Sequence, residues 1–175
     1  MKGITSFVII IICLFSCTAV RVSYDYDTKE DFSNYTTYNY FPEMETGLSG
    51  LDTKRLLKII DSTMLTKGIK LSEEPDFFIN ITSNAYRTGQ NNTIGVGVGS
   101  TGRNTTGGIS VGIPFNPSSL KREIQFDFVD SHKNVLFWQA TSTSGFKENA
   151  KPETRKQKLQ EVVNKVFATY PPKIR

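Results

Sequence analysis

Residues that usually carry chemistry are scarce in this chain. It has one His, two Cys and one Trp among 175 residues. A single imidazole and no spare thiol leave metal binding to carboxylates. Asp25-Tyr26-Asp27 opens like a calcium loop but lacks the third ligand, the turn glycine and the closing Glu. Glu73, Glu74 and Asp76 read as a solvated turn, so neither metal nor cofactor is expected. A strong excess of one charge is missing too. Against 17 Asp and Glu stand 21 Lys and Arg, a net charge of only +4. The groups Lys54/Arg55/Lys58 and Arg155/Lys156/Lys158 fall in predicted helices and read as solvated helix faces, not as the basic stripe that nucleic acid requires. No apolar run is long. "FVIIIICLF" at 7–15 falls well short of the roughly 20 residues that span a bilayer.

That run sits where a secretory leader has one. Lys2 precedes it and Leu14-Phe15-Ser16-Cys17 follows. A basic start, a short apolar run and a small residue before the cut define a signal peptide. The last four residues resemble the lipobox of bacterial lipoproteins, with an apolar residue at −3, a small one at −1, then the acceptor Cys. In that group the thiol receives diacylglycerol, cleavage makes the Cys the new N-terminus, and its amine is acylated. The resemblance implies cleavage between Ser16 and Cys17 and lipid on Cys17. Cysteine arithmetic points the same way. Cys13 leaves with the leader, so Cys17 would be an odd thiol in an oxidising compartment. Several acyl chains anchor firmly where one binds only marginally. Thr18 stands where inner-membrane lipoproteins carry Asp, and "CTAVRV" has no acidic run resembling a surface-export signal. The expected place is the periplasmic face of the outer membrane. Residues 1–16 are then the leader, 17–19 the anchor and a short tether, and 20–175 one domain.

Along that domain the period of the apolar residues changes. Val20, Val22, Tyr24 and Tyr26 alternate with polar neighbours, which predicts a strand with one buried face. "TTYNYF" (36–41) predicts a second strand, and residues 42–50 with Pro42, Gly47 and Gly50 a loop. A helix follows, capped by Ser49 or Asp52. Its residues Leu56, Leu57, Ile59, Ile60, Met64 and Leu65 lie on one side, and Lys67-Gly68 ends it. Strands are predicted at 75–82, 122–130 and 135–144, the last two joined by the polar turn "DSHKN". Pro152 opens a final helix in which Leu159, Val162, Val163, Val166, Phe167 and Tyr170 recur at helical spacing, and Pro171-Pro172 closes it. The order β-β-α-β-β-β-β-α, rich in hairpins, predicts an α+β two-layer sandwich. Its sheet is mainly antiparallel, with the two helices packed on one face.

The mature chain resembles domain-of-unknown-function family 4136 (DUF4136), small lipoproteins of Gram-negative bacteria. The carrying residues are "DFSNYTTYNY" (31–40), "KGIKLSEEPDFFINI" (67–81), "IQFDFVDSHKNVLFWQATSTSG" (124–145) and "VVNKVFATYPPK" (162–173), in the family's order. The family often has a Gly-rich hairpin in the middle, as here, although this one lacks the aromatics of some members. The resemblance implies the two-layer fold and an envelope location. It implies no activity.

Two enzyme-like patterns lie in "IGVGVGSTGRNTTGGISVGI" (94–113). Gly97-Val98-Gly99-Ser100-Thr101-Gly102 spells the dinucleotide fingerprint, but no helix follows to receive a pyrophosphate. Arg103-Asn104 also replaces the Lys and Ser/Thr of a Walker loop, so no nucleotide is expected. Gly108-Ile109-Ser110-Val111-Gly112 spells a nucleophile elbow, yet Pro114 follows in extended sequence. Ser110, Asp127 or Asp130, and His132 imitate a triad in order only, with His132 in a turn facing solvent. The structural reading is a hairpin. Ile94, Val96 and Val98 alternate with glycines, as do Ile109, Val111 and Ile113 with Ser110 and Gly112, leaving a nearly bare face on which a partner or strand can dock. The expected function is non-enzymatic: an outer-membrane lipoprotein whose domain binds an envelope protein. The alternative is a carrier of a lipid or other apolar ligand between sheet and helices.

Overall fold

A computed structural model describes residues 19–88, 93–95, 112–114 and 119–172. The predicted leader, Cys17 and the centre of the Gly-rich segment, Ser110 included, lie outside the described residues. In chain order the elements are β1 (Arg21–Tyr26), a 3-10 turn (Phe32–Asn34), β2 (Thr37–Tyr40), α1 (Gly50–Thr66), β3 (Lys70–Leu71), β4 (Phe77–Thr88), β5 (Thr93–Gly95), β6 (Gly112–Pro114), β7 (Ser119–Asp130), β8 (Leu136–Gly145) and α2 (Pro152–Phe167). Six strands form one sheet in the order β1-β8-β7-β4-β2-β3, while β5 and β6 pair by themselves. The fold is α+β, a sheet covered on one face by two helices.

The pairs β1–β8, β8–β7 and β7–β4 are antiparallel. At β2 the sense changes, because it runs parallel to both β3 and β4. The cause is α1. A helix returns the chain to the end where the previous strand began, so the next strand runs the same way. The base of the predicted Gly-rich hairpin is present as β5–β6, with Ile94 opposite Ile113. It stands outside the main sheet.

Period-two alternation places Phe77, Ile79 and Ile81 of β4, Ile124, Phe126 and Phe128 of β7, and Trp138 and Ala140 of β8 on the helix face, each exposed by 2% or less. Leu56, Ile59, Ile60 and Met64 of α1 and Leu159, Val162, Val163, Val166 and Phe167 of α2 close the same core. Each such Val, Leu, Ile, Phe or Met side chain stabilises the fold by about 1.5–3 kcal/mol on burial. Two expected core residues are outside it. Leu65 is 66% exposed and Tyr24 49%, the first because it lies past the edge of the apolar stripe, the second because β1 is an edge strand. The helix limits follow from local chemistry. Ser49 Oγ accepts from the Asp52 N–H at 3.3 Å. Gly68, at φ 80°, turns the chain so that Gly68 N–H and Ile69 N–H donate back to the Leu65 and Met64 carbonyls.

Candidate functional site

Strand register brings several features to one end of the domain. Arg21 pairs with Thr143, and Thr143 with Glu123, so the chain enters β1 level with the start of β7. At this end β4 departs for the Gly-rich segment at Thr88 and β7 returns opposite it at Ser119. The N-termini of both helices are here as well. Arg155, in the first turn of α2, reaches Asp52, in the first turn of α1, at 2.7 Å.

Asp52 is only 1% exposed. Its Oδ1 accepts from Arg55 Nη1 and its Oδ2 from Arg155 Nη1, both at 2.7 Å. Arg155 is held further, since its Nε donates to the Ala150 carbonyl at 3.0 Å and its Nη2 to the Glu148 carbonyl. Burial pushes the Asp52 carboxyl up, but the hydrogen bonds from Arg155 and Arg55 outweigh it and hold it below the usual carboxylate range. A third guanidinium completes the cluster. Arg122 of β7 projects on the helix face, its guanidinium carbon 3.5 Å from the centre of the Phe146 ring, and Arg155 lies 5.9 Å from the same ring. Burial lowers the Arg122 pKa, the Asp52 charge opposes this and the Arg155 charge adds to it. Three guanidinia thus face one carboxylate. The N-terminal ends of the two helices add partial positive charge.

In the sequence Arg55 and Arg155 read as solvated helix face, but their side chains are 25% and 24% exposed and turn inward to Asp52. No local pattern marks Arg122. Only the i,i+3 spacing of Asp52 and Arg55 was a visible signal, because Arg155 lies 103 residues from its carboxylate.

Residues 22–172 match the family described as "Domain of unknown function (DUF4136)". The chain belongs to that family. No curated protein matches it significantly. Among solved structures it is similar to a PDZ domain protein from Parabacteroides distasonis, with TM-score 0.59 and 11% identity over 93% of this chain. The chain spans 39% of that protein's length. It is also similar to the PelC dodecamer from Paraburkholderia phytofirmans, with TM-score 0.49 and 9% identity over 86% of this chain and 95% of that one. At these identities the likeness concerns the fold alone.

At the opposite end of the DUF4136 domain lies the turn that imitates a triad. Asp130 Oδ1 accepts from the backbone N–H groups of His132 (2.9 Å) and Lys133 (2.7 Å), and Oδ2 from the Tyr35 hydroxyl at 2.8 Å. This is turn chemistry, as its sequence suggests. Asp127 accepts from the side-chain amides of Gln125 and Gln139. Among the described residues no hydrogen bond joins either carboxylate to the exposed His132 ring. No group of three His, Cys, Asp or Glu is placed to hold a metal among them either. Asp76 departs from the solvated turn predicted for it. It ties β4 to β2 by accepting from Thr36 N–H (2.9 Å), Thr36 Oγ1 (3.0 Å) and Thr37 N–H (2.8 Å). A cavity of about 270 Å³ opens beside β1 and β8, lined by Asp25, Tyr26, Asp27 and Leu136 to Gln139. It does not lie between sheet and helices, where the aromatic and aliphatic core side chains meet.

Proposed function

We propose that this DUF4136 protein is an outer-membrane lipoprotein, cleaved between Ser16 and Cys17 and held by lipid on Cys17. Its domain serves as a non-catalytic binding module at the periplasmic surface. One observation carries the reading. Arg21, the first residue of β1, is four positions from Cys17, a distance of at most about 14 Å when extended. The anchored leaflet and the end of the domain that bears the helix N-termini and the hairpin base are therefore neighbours. An envelope protein at that surface is the partner this arrangement suits. The apolar-ligand carrier draws no support from the cavity by β1, which lies at the sheet edge and not between sheet and helices. Asp25 and Asp27 line it.

The test is fractionation of cells expressing wild type and Cys17→Ser. Wild type is expected in the outer membrane as a processed, lipid-labelled species, and the variant as an uncleaved precursor without label. An unlabelled wild type, or a variant processed and sorted normally, rejects the anchor.

A further inference from the structure

From the arginine cluster we infer a binding site for a phosphate group, in which Arg122 is the ligand-facing residue and Arg155 and Arg55 hold Asp52 beside it. The three guanidinia do different things. Arg155 spends hydrogen bonds on Asp52 and on the Ala150 and Glu148 carbonyls, so it positions the others. Arg55 gives one N–H to Asp52 from within its own helix, three residues along. The Arg122 side chain makes no hydrogen bond among the described residues. Its guanidinium carbon instead rests 3.5 Å over the centre of the Phe146 ring. A guanidinium held by its face has its N–H edge free for an incoming oxyanion, and that edge matches a phosphate's paired oxygens.

Charge supports the same assignment. Among the described residues Asp52 alone accepts from these guanidinia through a carboxylate, against three cations, while Glu153 in the first turn of α2 is exposed to solvent. An anion of charge one to two balances what is left. A structural salt-bridge knot would need only Asp52 with Arg55 and Arg155. It does not account for a third, half-buried arginine stacked beside them. The cluster is also level with the point where the chain enters β1. On the proposed anchor, this places it within reach of anionic lipid headgroups, whose uncompensated phosphate charge is the chemistry they share with a soluble phosphorylated ligand.

The test uses the chain from Thr18 onward, which contains every described element and carries no lipid. Binding is read by flotation with vesicles of phosphatidylethanolamine and phosphatidylglycerol, against phosphatidylcholine alone, and by the shift of the melting curve with inorganic phosphate. Wild type is expected to float with the anionic vesicles, with Arg122→Gln at least about tenfold weaker and dissolved phosphate competing. Lys121→Gln, which removes the same charge from the opposite sheet face, is expected to change binding little. A phosphate-induced melting shift that needs Arg122, without flotation, keeps the site and names a soluble phosphorylated ligand as its source. Equal losses in the Lys121 and Arg122 variants, or no dependence on Arg122 in either assay, overturn the site. If Arg122→Gln melts early, Arg122→Lys decides, because an ammonium keeps the charge without the fork. Wild-type binding by that variant also overturns it. Because this chain lacks Cys17, failure here is separate from failure of the anchor, which fractionation reads.

Discussion

Asp52, Asp76 and Asp130 each join segments that are far apart in the chain through one carboxylate. Burial pushes all three up, but donors outweigh it: Arg155 and Arg55 at Asp52, the Thr36 and Thr37 groups at Asp76, and the Lys133 N–H and Tyr35 hydroxyl at Asp130. Each folded pKa is therefore below that of the unfolded chain, near about 3.9. Their stabilisation is complete above that value and is lost as pH falls through the lower folded one. Urea midpoints should accordingly be level near neutrality and drop in acid. Asp76→Asn keeps the shape but weakens three accepted bonds. It should lower stability at neutral pH by about 1–2 kcal/mol and make the acid decline shallower. An unchanged acid slope in that variant would show that Asp76 contributes nothing to it. Of these residues only Asp130 was legible beforehand, because its partners His132 and Lys133 are two and three residues away and make a local turn. Asp76 meets Thr36 across 40 residues, and local pattern carries no record of such a pairing.

Helices and long strands were legible for a related reason. Their apolar residues recur with the period of the element, and the core takes whichever face that period builds. Cap chemistry at Ser49, Gly68 and Pro152 then set the limits of α1 and the start of α2. The parallel sense of β2 and the two-residue β3 were not legible. Lys70 and Leu71 are both exposed, so no period marks them, and their pairing with Thr37 and Tyr38 depends on where α1 delivers the chain. Three aspartate substitutions separate apolar stripe from mere apolar content. Val163 and Ile60 have no exposure, so Val163→Asp or Ile60→Asp buries a charge without a partner. Each should cost several kcal/mol, roughly the margin of a domain this size. Leu65→Asp, one turn along α1 but 66% exposed, should stay within about 0.5 kcal/mol of wild type. Thermal melts distinguish the cases, and equal losses at Ile60 and Leu65 would contradict the observed helix face.

The proposed anchor, its tether and the domain would together fix an orientation that none of them fixes alone. On the proposed lipidation, Cys17 leaves Thr18, Ala19 and Val20 before β1, and the Val20 carbonyl is itself tied to Lys165 at 3.1 Å. So short a link leaves the domain little freedom to turn over, and the arginine cluster stays at the leaflet. The turn holding His132 is then the far end, about 30 Å away along the ten residues of β8. Both ends offer an exposed position for a label, His132 beyond β7 and Lys147 just after Phe146. With Cys17 acylated and Cys13 removed, a cysteine placed at either is unique in the mature chain. Nitroxide lipids should quench a fluorophore at Lys147→Cys strongly and one at His132→Cys weakly. Inserting about 20 Gly/Ser residues after Ala19 gives a tether with a mean reach of roughly 25 Å, enough for the domain to leave the surface. It should reduce quenching at Lys147→Cys toward the level of His132→Cys, with the melting curve and lipid labelling unchanged. Equal quenching at both positions before the insertion would mean that the short link does not orient the domain. A near-end signal that survives the insertion would mean that the arginine end holds the membrane by its own affinity, independent of the tether.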